Sequence, residues 1–230
     1  MVTSVPLRRL DGADAPVGVA SSCLIDYAGR RFLLSVQHAV DRGSTDWVVD
    51  LGYERGKGTA IYRPKSFNYV AEIVRGSGVI RDIDFCFTEV PNDLVSIYQN
   101  ATPRGISDER PRHVFQTDLS ATPDDKQVFA FAGQVKPEMH GTSALATEMN
   151  VYPGLRFLRT EGEFHVFEIP VPHPGHEQFQ GCSGAPIVDM NRQVIALVCN
   201  GDPATNTIRG VSIARYKFAV DFMCRGANGA

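Results

Sequence analysis

No long stretch of this chain carries a helical repeat. Short apolar runs rich in β-branched and aromatic residues alternate with clusters of Gly, Pro, Asn and Asp, and that rhythm confines the chain to folds built from many short strands. Residues 19–26 and 31–36 flank the turn-like Tyr27-Ala28-Gly29-Arg30 and read as a hairpin. Residues 47–51, 59–62, 69–74 and 85–90 read as further strands. Strand signals resume at 114–117, 127–132, 154–160, 164–169, 185–188, 194–199 and 208–213, with Asp189-Met190-Asn191-Arg192 as a hairpin turn. Between the two groups, Pro91, Asn92, Asp93, Asn100, Pro103, Gly105, Asp108 and Pro111 predict a polar connection. Only residues 216–224 suggest a helix, where Phe218/Phe222 and Ala219/Met223 share faces at i, i+4 spacing. About a dozen short strands in two groups point to an all-β chain of two small antiparallel β-barrels.

The chain has 230 residues, enough for one large or two small domains, and either buries a core without a metal or disulfide staple. With 23 Lys and Arg against 26 Asp and Glu, the net charge is −3, which excludes a basic nucleic-acid footprint and gives no reason to expect an anionic membrane partner. The N-terminal residues include Arg8, Arg9, Asp11 and Asp14 and contain no apolar core of the signal-peptide kind. Five cysteines, Cys23, Cys86, Cys182, Cys199 and Cys224, are an odd number without CxxC spacing, and they read as reduced thiols of a cytoplasmic protein.

Three segments carry possible chemistry. In Phe32-Leu33-Leu34-Ser35-Val36-Gln37-His38 an apolar strand runs out into a histidine. In Asp82-Ile83-Asp84-Phe85-Cys86-Phe87 an acid opens a strand. In Gly181-Cys182-Ser183-Gly184-Ala185-Pro186 glycines flank a serine, and tight glycine backbone lets a peptide approach and lets N–H groups converge. Each has a bland reading by itself: a structural histidine, an acid at a strand start, a simple loop.

Together, and in this order, the three segments resemble those of the chymotrypsin-like (trypsin-like) serine peptidases, over about residues 15–224. Ser22-Cys23-Leu24-Ile25 and Phe129-Ala130-Phe131-Ala132-Gly133 extend the resemblance. It implies two six-stranded antiparallel β-barrels, here residues 15–92 and 112–215, joined by a linker at 93–111 and followed by a C-terminal helix at 216–224. It also implies a serine endopeptidase acting on peptide or protein substrates, without cofactor or metal, through His38, Asp84 and Ser183. The backbone N–H groups of Gly181 and Ser183 would form the oxyanion hole. Cys199, Gly201 and Gly210 would line the specificity slot, with Glu177 at its base and a preference for Lys or Arg. A shift of one residue would place His176 or Gln178 there instead.

Asp82 is the rival acid. Placing Asp84 at the catalytic position sets Phe85-Cys86-Phe87 on the family's apolar-small-apolar run, whereas Asp82 would force Asp84 into a buried small-residue position at high cost. Cys182 stands where digestive members carry an Asp that pairs with a freshly cleaved N-terminus, so that activation route is absent from the pattern, and control would fall to narrow specificity or a protein regulator. Cys182 lies one residue too early to be the nucleophile of the cysteine relatives. Cys199 replaces a serine near the catalytic Asp, and Gln37 replaces a small residue. The His173-x-x-His176-Glu177 cluster reads as a solvated loop rather than a metal site, and His113, His140 and His165 join no constellation. A non-catalytic protein-binding module on the same fold is the alternative function.

Overall fold

The computed structural model describes residues 2–41, 46–54, 58–102, 105–140 and 144–226. Seven antiparallel strands form the first half: β1 (Val5–Leu10), β2 (Pro16–Tyr27), β3 (Arg30–Ser35), β4 (Trp47–Glu54), β5 (Gly58–Tyr62), β6 (Asn68–Ile73) and β7 (Ile80–Val90). They pair in the order β5-β4-β1-β2-β3-β7-β6. A hairpin, β8 (Ile97–Thr102) with β9 (Gly105–Pro111), follows, and β10 (Val114–Gln116) then returns to run parallel to β2 as the eighth strand of the first sheet. The second half is a closed six-stranded barrel in the order β11-β12-β13-β16-β15-β14. Its strands are β11 (Val128–His140), β12 (Ala144–Glu161), β13 (Phe164–Glu168), β14 (Pro186–Val188), β15 (Val194–Asp202) and β16 (Thr207–Ser212). Helix α1 (Ile213–Gly226) closes the chain. The architecture is all-β: a closed six-stranded barrel packed against an eight-stranded sheet, where a second six-stranded barrel was expected, with a C-terminal helix.

Alternation along the strands explains how the halves meet. Successive side chains on a strand point to opposite faces, and β2, β3 and β7 are apolar on both. Leu24, Leu33 and Cys86 face β1 and β4, where they pack with Val5, Leu7, Trp47 and Val49 in the first interior. Their neighbours Cys23, Ile25, Phe32, Leu34, Phe85 and Phe87 face the other way, onto Leu197, Cys199 and Val211 of the second barrel and Tyr216 and Val220 of α1. The second barrel has its own filling, including Phe129, Phe131, Leu155, Phe167, Ile187 and Ile208. The core between the halves is therefore as apolar as either interior. Each large side chain buried there is worth about 1.5–3 kcal/mol, which holds the two halves in fixed register.

The structure adds detail to the expected segmentation. Strand β1 precedes residue 15 and supplies Val5 and Leu7 to the first interior. The connection expected at 93–111 folds back on itself as β8–β9 and is clamped to β4: Tyr53 N–H donates to Gln99 Oε1 at 2.6 Å and Gln99 Nε2 donates to Tyr53 O at 2.8 Å. In α1, Phe218 and Phe222 do share a face, but it is the solvent face, while Ile213, Tyr216 and Val220 are buried.

Candidate active site

Strand β3 ends in a tight turn. Val40 N–H donates to Val36 O at 3.2 Å, and Val36 and Val40 are both buried, so the turn is anchored while His38 between them stays half exposed. Strand β7 lies beside β3, with Ser35 opposite Cys86, and this brings Asp84 under the histidine. His38 N–H donates to Asp84 Oδ1 at 2.9 Å, and His38 Nδ1 is 2.7 Å from Asp84 Oδ2. His38 Nε2 is 2.8 Å from Ser183 Oγ. An ionised carboxylate only accepts, so Nδ1 carries the proton and the Nε2 lone pair faces the serine hydroxyl.

Burial works to raise the Asp84 pKa, but the hydrogen bonds from the His38 ring and backbone outweigh it and hold the carboxyl below its ordinary value. The Cys199 thiol beside it adds a small pull in the same direction. The thiol itself is pushed well up by burial and then by the Asp84 charge, so it stays a neutral S–H, donating to Leu197 O at 3.5 Å.

The loop around Ser183 is fixed by its glycines. Gly181 and Gly184 have φ of +99° and +88°. A Cβ on Gly181 would sit 2.6 Å from Gln134 O, and one on Gly184 would overlap Ser21 O and Ser35 Oγ. The N–H groups of Gln180, Cys182, Gly184 and Ala185 all donate to backbone carbonyls. Those of Gly181 and Ser183 have no such partner among the described residues, so the pair left open lies on either side of Cys182.

Ser21 of β2 fastens this loop to the first half. Its N–H donates to Ser183 O at 2.8 Å, and its hydroxyl donates to Gly181 O at 2.7 Å while accepting from Gln134 N–H at 3.2 Å. Its own carbonyl accepts from Ser35 Oγ at 2.9 Å. Sequence reasoning passed over Ser21 and Ser35, because their role exists only once β2, β3 and the second barrel are assembled. Cys182 is buried against Gly133, and burial pushes its thiol up to about 12, which leaves it a poor nucleophile at neutral pH.

The residues expected at the slot have the following surroundings. Glu177 is exposed at the start of a short 3-10 turn, Glu177–Phe179. The side chain at Gly201 is His173: a Cβ there would overlap its Nε2. His173 stacks obliquely on Phe179, with ring centroids 4.6 Å apart, and its Nδ1 accepts from Gly175 N–H at 3.1 Å. Gly210 is buried within the second barrel, where a Cβ would meet Ile187 and Ala196 at 2.8 and 2.9 Å, so its missing side chain serves packing. Cys199 lies between Asp84 and the serine, its carbonyl 3.4 Å from Ser183 Oγ. His176 and Gln178 are exposed. Among the described residues, no three His, Cys, Asp or Glu side chains gather in a metal-holding cluster.

Solved structures share this fold. Human heparin binding protein superposes with a TM-score of 0.58 at 10% identity, covering 94% of this chain and 89% of its own. A Glu endopeptidase gives 0.53 at 13% identity, covering 98% and 91%. An inactivated protease paralogue of the scabies mite gives 0.54 at 11% identity, covering 97% and 92%. No family model matches the sequence, and no curated protein matches it. The fold is thus that of the chymotrypsin-like serine peptidases, and it is shared by proteins named for proteolysis, for binding and for inactivation.

Proposed function

We propose that the protein is a serine endopeptidase that cleaves peptide or protein substrates through an acyl-enzyme on Ser183. The reading rests on one observation: an unbroken chain from Asp84 through His38 to Ser183, beside two backbone N–H groups without partners among the described residues. As Ser183 Oγ attacks a carbonyl carbon, its proton passes to His38 Nε2, and the Asp84 carboxylate stabilises the resulting imidazolium. The negative oxygen so formed is held by the N–H groups of Gly181 and Ser183, each worth about 3 kcal/mol in the transition state. His38 then gives the proton to the leaving amine, and a water repeats the sequence to release the acid.

A reducing, cytoplasmic setting goes with this reading, since all five thiols are free and four are buried. No helix among the described residues is long and apolar enough to cross a membrane. Substrate or a protein regulator would displace His173 from Gly201, which offers restraint without a cleaved N-terminus. The uncut chain is expected to react with a fluorophosphonate probe, and Ser183→Ala to abolish the labelling. A binding module on the same fold would give no labelling, and that result would overturn the proposal.

A further inference from the structure

A cleft of about 920 Å³ is lined by β1, β4, the β8–β9 hairpin and β12. Its size is that of a small-molecule site. Two arginines from distant parts of the chain line it. Arg112 is 7% exposed, and Arg8 has a side chain 13% exposed. Arg112 Nη1 donates to Ser4 O at 2.5 Å, and its guanidinium lies 5.5 Å from the centroid of the Tyr98 ring. Arg8 Nε donates to Asp50 Oδ2 at 3.3 Å, and its Nη2 reaches Thr147 Oγ1 only at 3.5 Å. Arg8 Nη1 and Arg112 Nε are buried with no hydrogen-bond partner among the described residues.

The charged lining is two cations, Arg8 and Arg112, and two acids, Asp50 and Glu148, and among the described residues neither acid is hydrogen-bonded to Arg112. Asp50 accepts from Arg8 Nε through Oδ2, and its Oδ1 is already taken by Gly52 N–H at 2.9 Å. At the rim, Glu148 is held by Lys136 at 2.9 Å and Arg110 by Asp108 at 3.2 Å, so neither acid is spare. Burial is the main cause that brings the Arg112 pKa down to about 10; Asp50 and Tyr98 oppose it, and the Arg8 charge adds a smaller downward push. The guanidinium still carries its charge at neutral pH, and a buried cation without a full complement of acceptors is expensive. An incoming anion would supply a counter-charge for Arg112 and accept from those guanidinium N–H groups that reach the cleft, in the forked geometry guanidinium favours. The rest of the wall suits an apolar body: Pro6, Ile97, Tyr98, Ile106 and Met149 contribute to the lining.

We propose that this cleft binds a small organic anion, with a carboxylate or phosphate head between Arg8 and Arg112 and an apolar body against Tyr98 and Met149. The site is independent of the hydrolytic reading, and its test does not use activity. Benzoate, phenyl phosphate and inorganic phosphate would each be titrated into the full chain at fixed ionic strength, with binding followed by calorimetry and by the shift in melting temperature. The expected result is one-to-one binding of at least one of the two aromatic anions. Arg112→Met and Arg8→Met should each weaken it tenfold or more, and Arg112→Lys less. Benzoate binding identifies a carboxylate site, phenyl phosphate alone a phosphate site, and either supports the proposal. Should Arg112→Met fail to fold, Arg8→Met and Arg112→Lys carry the comparison. Failure of both aromatic anions to bind, or binding unchanged in the arginine variants, overturns it. Inorganic phosphate binding without either aromatic anion also overturns it, because the apolar wall would then play no part.

Discussion

At the scale of single residues, two acids two positions apart on β7 have different surroundings. Asp84 accepts from both the backbone and the ring of His38, while Asp82 is exposed in the shallow outer cleft with Gln37 and Asp41. On the proposed mechanism, Asp84→Asn favours the wrong imidazole tautomer and should lower kcat by roughly 10⁴. Asp82→Asn should change it by less than about tenfold, because no reacting proton passes through it. Steady-state hydrolysis by the two purified variants decides the matter, and the reverse ranking would mean that the strand is misaligned. Adding Ser183→Ala to Asp84→Asn should cost little more than Ser183→Ala alone, since groups acting as a unit do not add. The three segments were legible because each is local: a strand end, a strand start and a glycine-flanked serine. His173 and Ser21 were not, because their partners, Gly201 and Gly181, lie far away in the chain. Arg8 and Arg112 look like ordinary surface charges until the fold encloses them.

At the scale of elements, alternation of apolar residues marked most strands, and the gaps in that reading have physical causes. The expectation began a strand at 154, yet β12 runs through Pro153 and Gly154. The ladder tolerates both because the register slips there: Phe129 faces Leu155 while Ala130 faces Pro153, and Gly154 takes φ +80° as the extra residue. The hairpin β8–β9 was hidden by its polar surface, since its stability comes from Gln99 and Tyr53 across a tertiary contact. Strand β13 makes a measurable prediction. His165 sits on it, 5% exposed, edge-on to Phe157, with Nδ1 2.9 Å from Thr160 Oγ1 and Nε2 unpartnered among the described residues. Burial pushes its pKa down to about 4. The unfolded chain therefore takes up this proton first, so His165 contributes nothing to pH dependence near neutrality and lowers stability as pH falls from about 6.5 towards 4. The loss has an upper bound of about 3 kcal/mol. Denaturant unfolding of the native chain and His165→Phe at pH 7, 5 and 4 should give a difference that shrinks or reverses in acid. A constant difference would mean that the imidazole titrates normally.

At the scale of the whole molecule, three apolar cores hold the chain together, and four of its five thiols are buried within them or beside the site. Burial raises the pKa of Cys23 and Cys86, which keeps them protonated and inert until the chain opens. A thiol reagent should therefore reach Cys224 first in the native protein and count five thiols in denaturant without reductant. A count of three or one would reveal disulfides and an oxidising compartment. The two-barrel plan was legible as two groups of strands. The core between them was not, because only the folded chain reveals which face of β2, β3 and β7 meets the partner barrel.

The Ser21 hydroxyl joins Gly181 in one half to β2 in the other, and His38 and Ser183 likewise come from opposite halves. Neither half alone holds a complete set of reacting groups. On the proposed reading, a chain still emerging from the ribosome, or one broken between its barrels, is harmless to the proteins around it. Its chemistry switches on with the last step of assembly and not before.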